Sequence, residues 1–138
     1  FKGNSDDCYW GLPSISADDD AFPALGYWRG FIWGPMAMLT YWSLEAAATE
    51  LGSELAMKGK HALAVQMQQL LLSQWRENAH VCENYNPHRT ADTSDGDCTG
   101  DQFYTWGSLT GLLMLLEEKV SKVTLSQRNA GFGPVQSD

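Results

Sequence analysis

The chain has 138 residues, of which 43% are hydrophobic and 19% are charged, and its formal net charge is −8. This length supports at most one domain with one modest core. The acidic excess argues against nucleic acid and anionic membranes as partners, because both are bound through clustered Lys and Arg. No apolar run reaches the roughly 18 residues of a membrane-spanning helix.

The N-terminal part of the sequence predicts a long ordered loop over residues 1–34. Residues 1–26 are rich in Gly, Pro, Ser and Asp and have no sustained hydrophobic period. Three aspartates at 18–20 suggest a carboxylate cluster, but such runs more often cap turns. The chain starts with Phe1 and shows no targeting signal, so we expect it to be the C-terminal part of a longer protein.

Two helices are predicted next. The first begins at Pro35, because proline favours the first helical position, and ends near Leu51. Apolar residues lie on nearly all of its faces, which predicts burial on most sides. The second helix uses Ser53 as its N-cap and continues as an amphipathic helix to about Asn78.

A leucine-rich stripe indicates a third helix, and the predicted helices together cover residues 35–127. Its apolar residues recur at i, i+3, i+4, i+7 and i+11, namely Leu109, Leu112, Leu113, Leu116 and Val120. Residues 128–138 read as a tail. An apolar, an amphipathic and a leucine-rich helix in succession are typical of one and a half turns of an α/α toroid, with helices one and three inside. We therefore predict an all-α fold.

Tryptophan is unusually frequent, at positions 10, 28, 33, 42, 75 and 106. Trp42 and Trp75 lie within helical patterns, so the simplest interpretation places them in the core. Trp28, Trp33 and Trp106 lie beside Gly, Arg or polar residues at element boundaries. An indole face next to hydrogen-bonding groups suits a sugar ring, which has an apolar face and a polar rim.

Three unusual segments are expected to meet at one end of the toroid, around the N-termini of helices one and three. These segments are Tyr27–Gly30, Cys82–Pro87 and Phe103–Gly107. Glu83 is the strongest catalytic candidate, and its pairing with Arg29 or Arg89 is the alternative. Arg29 offers a planar fork of donors to a partner, or it forms a salt bridge that holds loops together.

The histidines and cysteines between residues 80 and 98 lack any zinc-binding spacing, since neither a CxxC nor an HxxxH pair occurs. We therefore expect no metal and no cofactor. A disulfide between Cys82 and Cys98 would close a loop beside Glu83 in an oxidising compartment, and reduced thiols are the alternative. The P-loop, GxGxxG and GxSxG fingerprints are missing.

The three segments resemble motifs of glycoside hydrolase family 63, the family of processing α-glucosidase I (mannosyl-oligosaccharide glucosidase) and its bacterial relatives. Tyr27–Met36, YWRGFIWGPM, is similar to the YWRGxIWxxMN element, which family 37 trehalases of the same clan share in similar form. Cys82–Pro87 is similar to an E-x-Y-N/D segment, and Phe103–Gly107 to a later F-x-x-W-G/T segment. The likeness spans roughly residues 9–120, although Ala37 stands where the family often has Asn.

The resemblance implies part of an (α/α)6 barrel and the hydrolysis of α-glucosidic bonds with inversion. It assigns Glu83 as the general base. The substrate-binding positions that it implies are Trp28, Arg29, Gly30, Trp33, Tyr85 and Trp106. The family's general acid lies in an upstream D-N-S/A-like segment that this sequence lacks, so we expect these residues to hold half of the catalytic pair and to be inactive alone. For a eukaryotic protein, the resemblance implies the endoplasmic reticulum lumen or the secretory pathway.

The expected partner is an oligosaccharide or a small α-glucoside, with no nucleic acid and no membrane contact. The acceptor stays open among an N-glycan, trehalose, mannosylglycerate and others, and the sequence indicates no oligomeric state. One alternative is a trehalase or another small α-glycoside hydrolase, although residues 88–100 are rich in Asp and Thr where trehalases are rich in Gly. Another is a carbohydrate-binding α/α scaffold that does not cut its ligand. In a third, the motifs only serve packing.

Overall fold

A computed structural model describes the backbone of residues 11–88 and 98–130 and the side chains of residues 11–88 and 100–118. A short 3-10 turn, Phe22–Ala24, precedes the main elements. In chain order these are α1 (Gly34–Glu50), α2 (Glu54–Asn78), β1 (Cys82–Tyr85), β2 (Cys98–Gln102) and α3 (Thr105–Ala130). The predicted all-α class is confirmed, because helices make up most of the chain and the strands form one small sheet, as in part of a helical toroid.

The helix boundaries follow local sequence signals. α1 starts at Gly34, one residue before the predicted Pro35. α2 starts after Ser53, whose hydroxyl oxygen accepts a hydrogen bond of 3.2 Å from the backbone N–H of Ala56, as expected of an N-cap. The predicted end of α2 at Asn78 is confirmed.

α3 is longer than the leucine stripe predicted. The helix begins at Thr105 and continues to Ala130, so residues 128–130 are helical and do not belong to the predicted tail. Residues 131–138 lie outside the described residues. Leu113 is fully buried, whereas Leu112 of the same stripe is exposed.

The two strands were not predicted. β1 and β2 pair in antiparallel fashion, with Cys82 opposite Gln102 and Tyr85 opposite Cys98. Ile32 extends this arrangement, since its backbone exchanges hydrogen bonds of 2.8 and 3.0 Å with that of Tyr85. These strands have four and five residues and little apolar alternation, so the sequence carried almost no strand signal. The sheet attaches the loop before α1 to the loop before α3.

The core lies between the three helices and β1. α2 packs against both α1 and α3, which also pack on each other. The buried residues of the core are Ile32, Ala37, Met38, Tyr41, Leu63, Ala64, Met67, Leu70, Cys82, Tyr85 and Leu113. Among the described residues, no helix is both long enough and apolar enough to cross a bilayer.

The placement of Trp42 and Trp75 in the core was wrong. Trp42 is 55% exposed and Trp75 is 52% exposed, because both lie on helix faces that point away from the other described helices. Met36 and Leu39 are exposed on α1 as well, so this helix is not buried on most sides within the described residues. Which helices lie inside a complete ring stays a prediction.

A buried charged cluster ties the three helices together. Lys60 on α2 is only 4% exposed and forms ion pairs with Glu45 on α1 and with Glu117 on α3, the latter at 3.2 Å. The Tyr41 hydroxyl donates a hydrogen bond of 2.9 Å to Glu117, and His61 Nδ1 lies 3.4 Å from the same carboxylate. Because buried Lys60 has an opposite charge on each neighbouring helix, its desolvation is compensated and the cluster links α1, α2 and α3.

Candidate active site

The first turns of α1 and α3 meet next to β1. A side chain at Gly34 would collide with the backbone carbonyl of Trp106, and one at Gly107 would collide with the carbonyl of Cys82. Only glycine permits these two approaches. The prediction that the three unusual segments converge around the N-termini of the first and third helices is therefore confirmed.

Glu83 lies on β1 at this convergence, and both of its carboxylate oxygens are hydrogen-bonded. Oε1 accepts from the Tyr27 hydroxyl at 2.6 Å, and Oε2 accepts from the backbone N–H of Asp101 at 3.3 Å. Gly100 has a φ of +77°, and a Cβ there would collide with the Glu83 side chain. β2 thus passes close under a partly buried carboxylate whose orientation is set from two sides.

Tyr27 is held in an uncommon backbone conformation, with a φ of +29°. Large side chains rarely adopt the left-handed region, and such residues concentrate at functional sites. The hydrogen bond to Glu83, followed by desolvation and the charge of that carboxylate, raises the pKa of Tyr27 to about 12. The hydroxyl therefore stays protonated at neutral pH and acts as a donor.

An aromatic cluster borders this carboxylate. Trp28 stacks on Trp33 with ring centroids 3.8 Å apart and planes inclined by 16°, and Trp106 meets Trp33 edge to face at 6.2 Å. Trp33 is fully buried, whereas Trp28 is 49% exposed and Trp106 is 38% exposed. The buried indole thus supports two others that present surface to a ligand. Such surface suits the apolar face of a sugar.

Three positions expected to contact substrate lie in the interior, and those expectations are corrected here. Trp33 is fully buried beneath Trp28. Tyr85 is fully buried too, and its hydroxyl donates to the Gly107 carbonyl at 3.2 Å. Gly30 is buried with a φ of +119°, where only glycine fits easily, and its N–H donates to Ser14 Oγ. All three support the site from behind.

Arg29 is exposed and lies in a tight turn. Its backbone N–H donates to the Gly26 carbonyl at 2.5 Å, and its guanidinium lies along the Gly26 backbone. Within the described residues Arg29 forms no salt bridge, so the suggested pair with Glu83 is not present. Its donors are therefore available beside Trp28. Arg89, the other suggested partner of Glu83, lies outside the described residues.

Cys82 is fully buried and disulfide-bonded, so the alternative of a reduced thiol does not hold for this residue. The Cys98 side chain lies outside the described part of the chain. Its backbone is paired with Tyr85, whereas Cys82 is paired with Gln102. Bridged cysteines usually have Cα atoms less than about 7 Å apart, so this register argues against the predicted Cys82–Cys98 pairing.

The other polar candidates form turn or packing contacts within the fold. Asp19 accepts a hydrogen bond of 2.8 Å from the backbone N–H of Ala21, and Asp18 accepts one from Ser16, as expected of turn caps. His80 packs against Phe103 with ring centroids 5.2 Å apart. Among the described side chains, those of residues 11–88 and 100–118, no three His, Cys, Asp or Glu residues are grouped to hold a metal.

Two contributors to the site were missed in the sequence. The motif Tyr27–Gly30 did not predict a role for Tyr27, although a tyrosine beside the indoles is a usable signal. The Asp101 amide had no signal at all, because a backbone donor becomes visible only once β1 and β2 are paired.

A family model described as the mannosylglycerate hydrolase MGH1-like glycoside hydrolase domain matches residues 4–107. The matched range contains all three converging segments and ends at Gly107. None of the curated proteins matches the chain.

Proposed function

We propose that the site contributes the general base of an inverting α-glycosidase, because the chain belongs to the family of mannosylglycerate hydrolase MGH1-like glycoside hydrolase domains. Membership establishes a glycoside hydrolase domain and a carbohydrate substrate. The inverting mechanism, the glucoside preference and the family 63 assignment go beyond it and are our proposal.

The observation that carries the proposal is the held carboxylate of Glu83 beside exposed indoles. In the proposed reaction, Glu83 removes a proton from a water molecule while the water oxygen forms a bond to the anomeric carbon. The bond from that carbon to the leaving-group oxygen breaks on the opposite face, where a second carboxylic acid donates a proton to the departing oxygen. We assign that acid to no described residue.

Glu83 is suited to the base role because its donors leave room for water. A carboxylate offers about four acceptor positions, and the Tyr27 hydroxyl and the Asp101 amide occupy two of them. An inverting pair is separated by about 6.5–9.5 Å, so the base must face an opening that admits a water. Glu83 is only partly buried, which is compatible with access of a water molecule to its carboxylate.

Substrate binding is assigned to the exposed side chains of the same surface. Trp28 and Trp106 stack on sugar rings, and Arg29 donates to sugar hydroxyls. The guanidinium also suits a carboxylate on the leaving group. An anionic glycoside such as mannosylglycerate is therefore a second candidate substrate, favoured by an Arg29 that has no ion pair among the described residues.

The decisive experiment compares Glu83→Gln with Glu118→Gln in the intact protein. The probes are p-nitrophenyl α-glucoside, trehalose and mannosylglycerate, with product anomers followed by NMR. Glu83→Gln should lower kcat by about 10²–10⁴-fold, because an amide cannot accept the proton from water. Glu118 is exposed on α3, and its conversion should leave kcat unchanged. Near-wild-type turnover by Glu83→Gln would rule out the base assignment.

The non-catalytic alternative makes a different prediction in the same assays. A carbohydrate-binding scaffold would show sugar-dependent quenching of tryptophan fluorescence but no product with any probe. Purely structural motifs would give neither signal. Product of inverted configuration from the wild-type protein excludes both alternatives.

A further inference from the structure

The hydroxyl of Tyr27 is the one side-chain donor that Glu83 has among the described residues. The 2.6 Å contact joins residues that are 56 positions apart in the chain. The second oxygen of Glu83 is held by the Asp101 amide on β2. Because each carboxylate oxygen of Glu83 accepts from its own donor, rotation of the carboxylate about the Cγ–Cδ bond is restricted.

Tyr27 is itself fixed by its neighbours. Its ring meets the Trp33 ring at 4.8 Å and the Trp28 ring at 5.6 Å, both edge to face. Trp33 Nε1 also donates a hydrogen bond of 3.3 Å to the Tyr27 carbonyl. The positive φ of Tyr27 is maintained by these contacts, and it directs the hydroxyl to Glu83 Oε1. A buried indole thus determines where the carboxylate's donor lies.

We propose that Tyr27 is a positioning residue for Glu83, whose hydroxyl holds the carboxylate in the orientation from which it takes a proton from water. The inference rests on the proposed base role of Glu83. Tyr27 acts through the carboxylate and exchanges no proton in the reaction. Its raised pKa agrees with a group that remains a donor throughout.

The test is a double-mutant cycle in the intact protein with mannosylglycerate and p-nitrophenyl α-glucoside. Tyr27→Phe removes the hydroxyl and keeps the ring, so kcat should fall by about 10- to 100-fold with KM nearly unchanged. In the Glu83→Gln background the same change should cause no further loss, since no base is left to position. An equal loss in both backgrounds, or no loss in the wild type, would overturn the inference.

Tyr41→Phe is the matched control. It deletes an equivalent hydroxyl-to-carboxylate hydrogen bond, from Tyr41 to Glu117, in the Lys60 cluster. It should leave kcat unchanged, although it removes the same group from the same kind of contact. A different result, full activity of Glu83→Gln, would contradict the proposed function itself.

Ultraviolet titration provides a readout that is independent of turnover. In the wild type, Tyr27 should resist ionisation up to about pH 12. In Glu83→Gln, which replaces the charged carboxylate with a neutral amide, one more tyrosine should ionise near pH 10. Circular dichroism over the same range verifies that the protein stays folded. An unchanged number of ionising tyrosines would overturn the hydrogen bond and the inference with it.

Discussion

Gly34 and Trp106 touch where the first turns of α1 and α3 meet, and a Cβ at Gly34 would collide with the Trp106 carbonyl oxygen. The partner atom is backbone in the first turn of a helix, so it cannot move aside as a flexible side chain would. Because Trp106 also contacts Trp33, this approach determines the spacing of the aromatic cluster.

The first prediction is that Gly34→Ala lowers the free energy of unfolding by about 2 kcal/mol or more, as overpacking does. Since α1 and α3 would separate, kcat should fall as well. Chemical denaturation of the intact protein measures the stability, and the glycosidase assay measures the activity.

Gly59→Ala is the matched control for that substitution. Gly59 lies inside α2, and an added Cβ would come no closer than 3.8 Å to the Leu44 side chain, an ordinary contact. Replacing a helical glycine by alanine should raise the free energy of unfolding by up to about 1 kcal/mol. If Gly34→Ala and Gly59→Ala changed the free energy of unfolding alike, close contact between the N-termini of α1 and α3 would not explain the glycine at position 34.

The second prediction concerns the disulfide of Cys82, the residue that precedes Glu83. A native disulfide contributes about 2–4 kcal/mol to stability. Reductant should therefore lower the Tm of the wild-type protein but leave the Tm of Cys82→Ala unchanged. Equal sensitivity of the two proteins to reductant would show that this bond does not support the fold.

Peptide mapping without reduction identifies the partner of Cys82. The strand register leads us to expect that Cys98 is not that partner, because its backbone lies opposite Tyr85. A recovered Cys82–Cys98 peptide would support the pairing predicted from the sequence and contradict the register argument.

The sequence predicted what depends on local signals. Ser53 as an N-cap, the end of α2 at Asn78 and the class of the fold all follow from capping and periodicity. The meeting of the three segments could also be anticipated, since helices of opposite direction bring alternate loops to one end. Glu83 stood out because it is an isolated acid within a loop-like motif.

The remaining features depend on partners that are distant in the chain. Trp28 and Trp33 lie five positions apart in one motif, yet Trp33 is fully buried among three aromatic rings, whereas Trp28 is about half exposed. Trp42 has an apolar helical pattern around it, but its face lacks a described partner. Lys60 meets Glu45 and Glu117 only after three helices pack. No single-segment pattern encodes these relations.

The third prediction is a pH dependence of stability that arises from the Lys60 cluster. Burial alone would raise the pKa of Glu117, but hydrogen bonds from Tyr41 and Lys60 outweigh it and hold that pKa below 4.5. A lowered carboxylate pKa means that the stabilisation is present above pH 4.5 and is lost as the pH falls through the folded value.

Lys60 has the opposite dependence. Burial alone would lower the pKa of Lys60, but its hydrogen bonds to both glutamates raise that pKa above 10.5. Its contribution is complete below pH 10.5 and is lost as the pH rises through the folded value.

Glu117→Gln tests the acid side of this dependence, with the exposed Glu118→Gln as its control. Removing one partner from a buried ion pair should lower the free energy of unfolding at pH 7 by about 3 kcal/mol. The variant should then lose less stability than the wild type between pH 5 and the acid transition, since the titrating group is gone, whereas Glu118→Gln should follow the wild-type curve. Denaturation at a series of pH values measures both effects. Parallel curves for the wild type and Glu117→Gln would mean that Glu117 titrates alike in the folded and unfolded chains, and that the Lys60 cluster does not cause acid sensitivity.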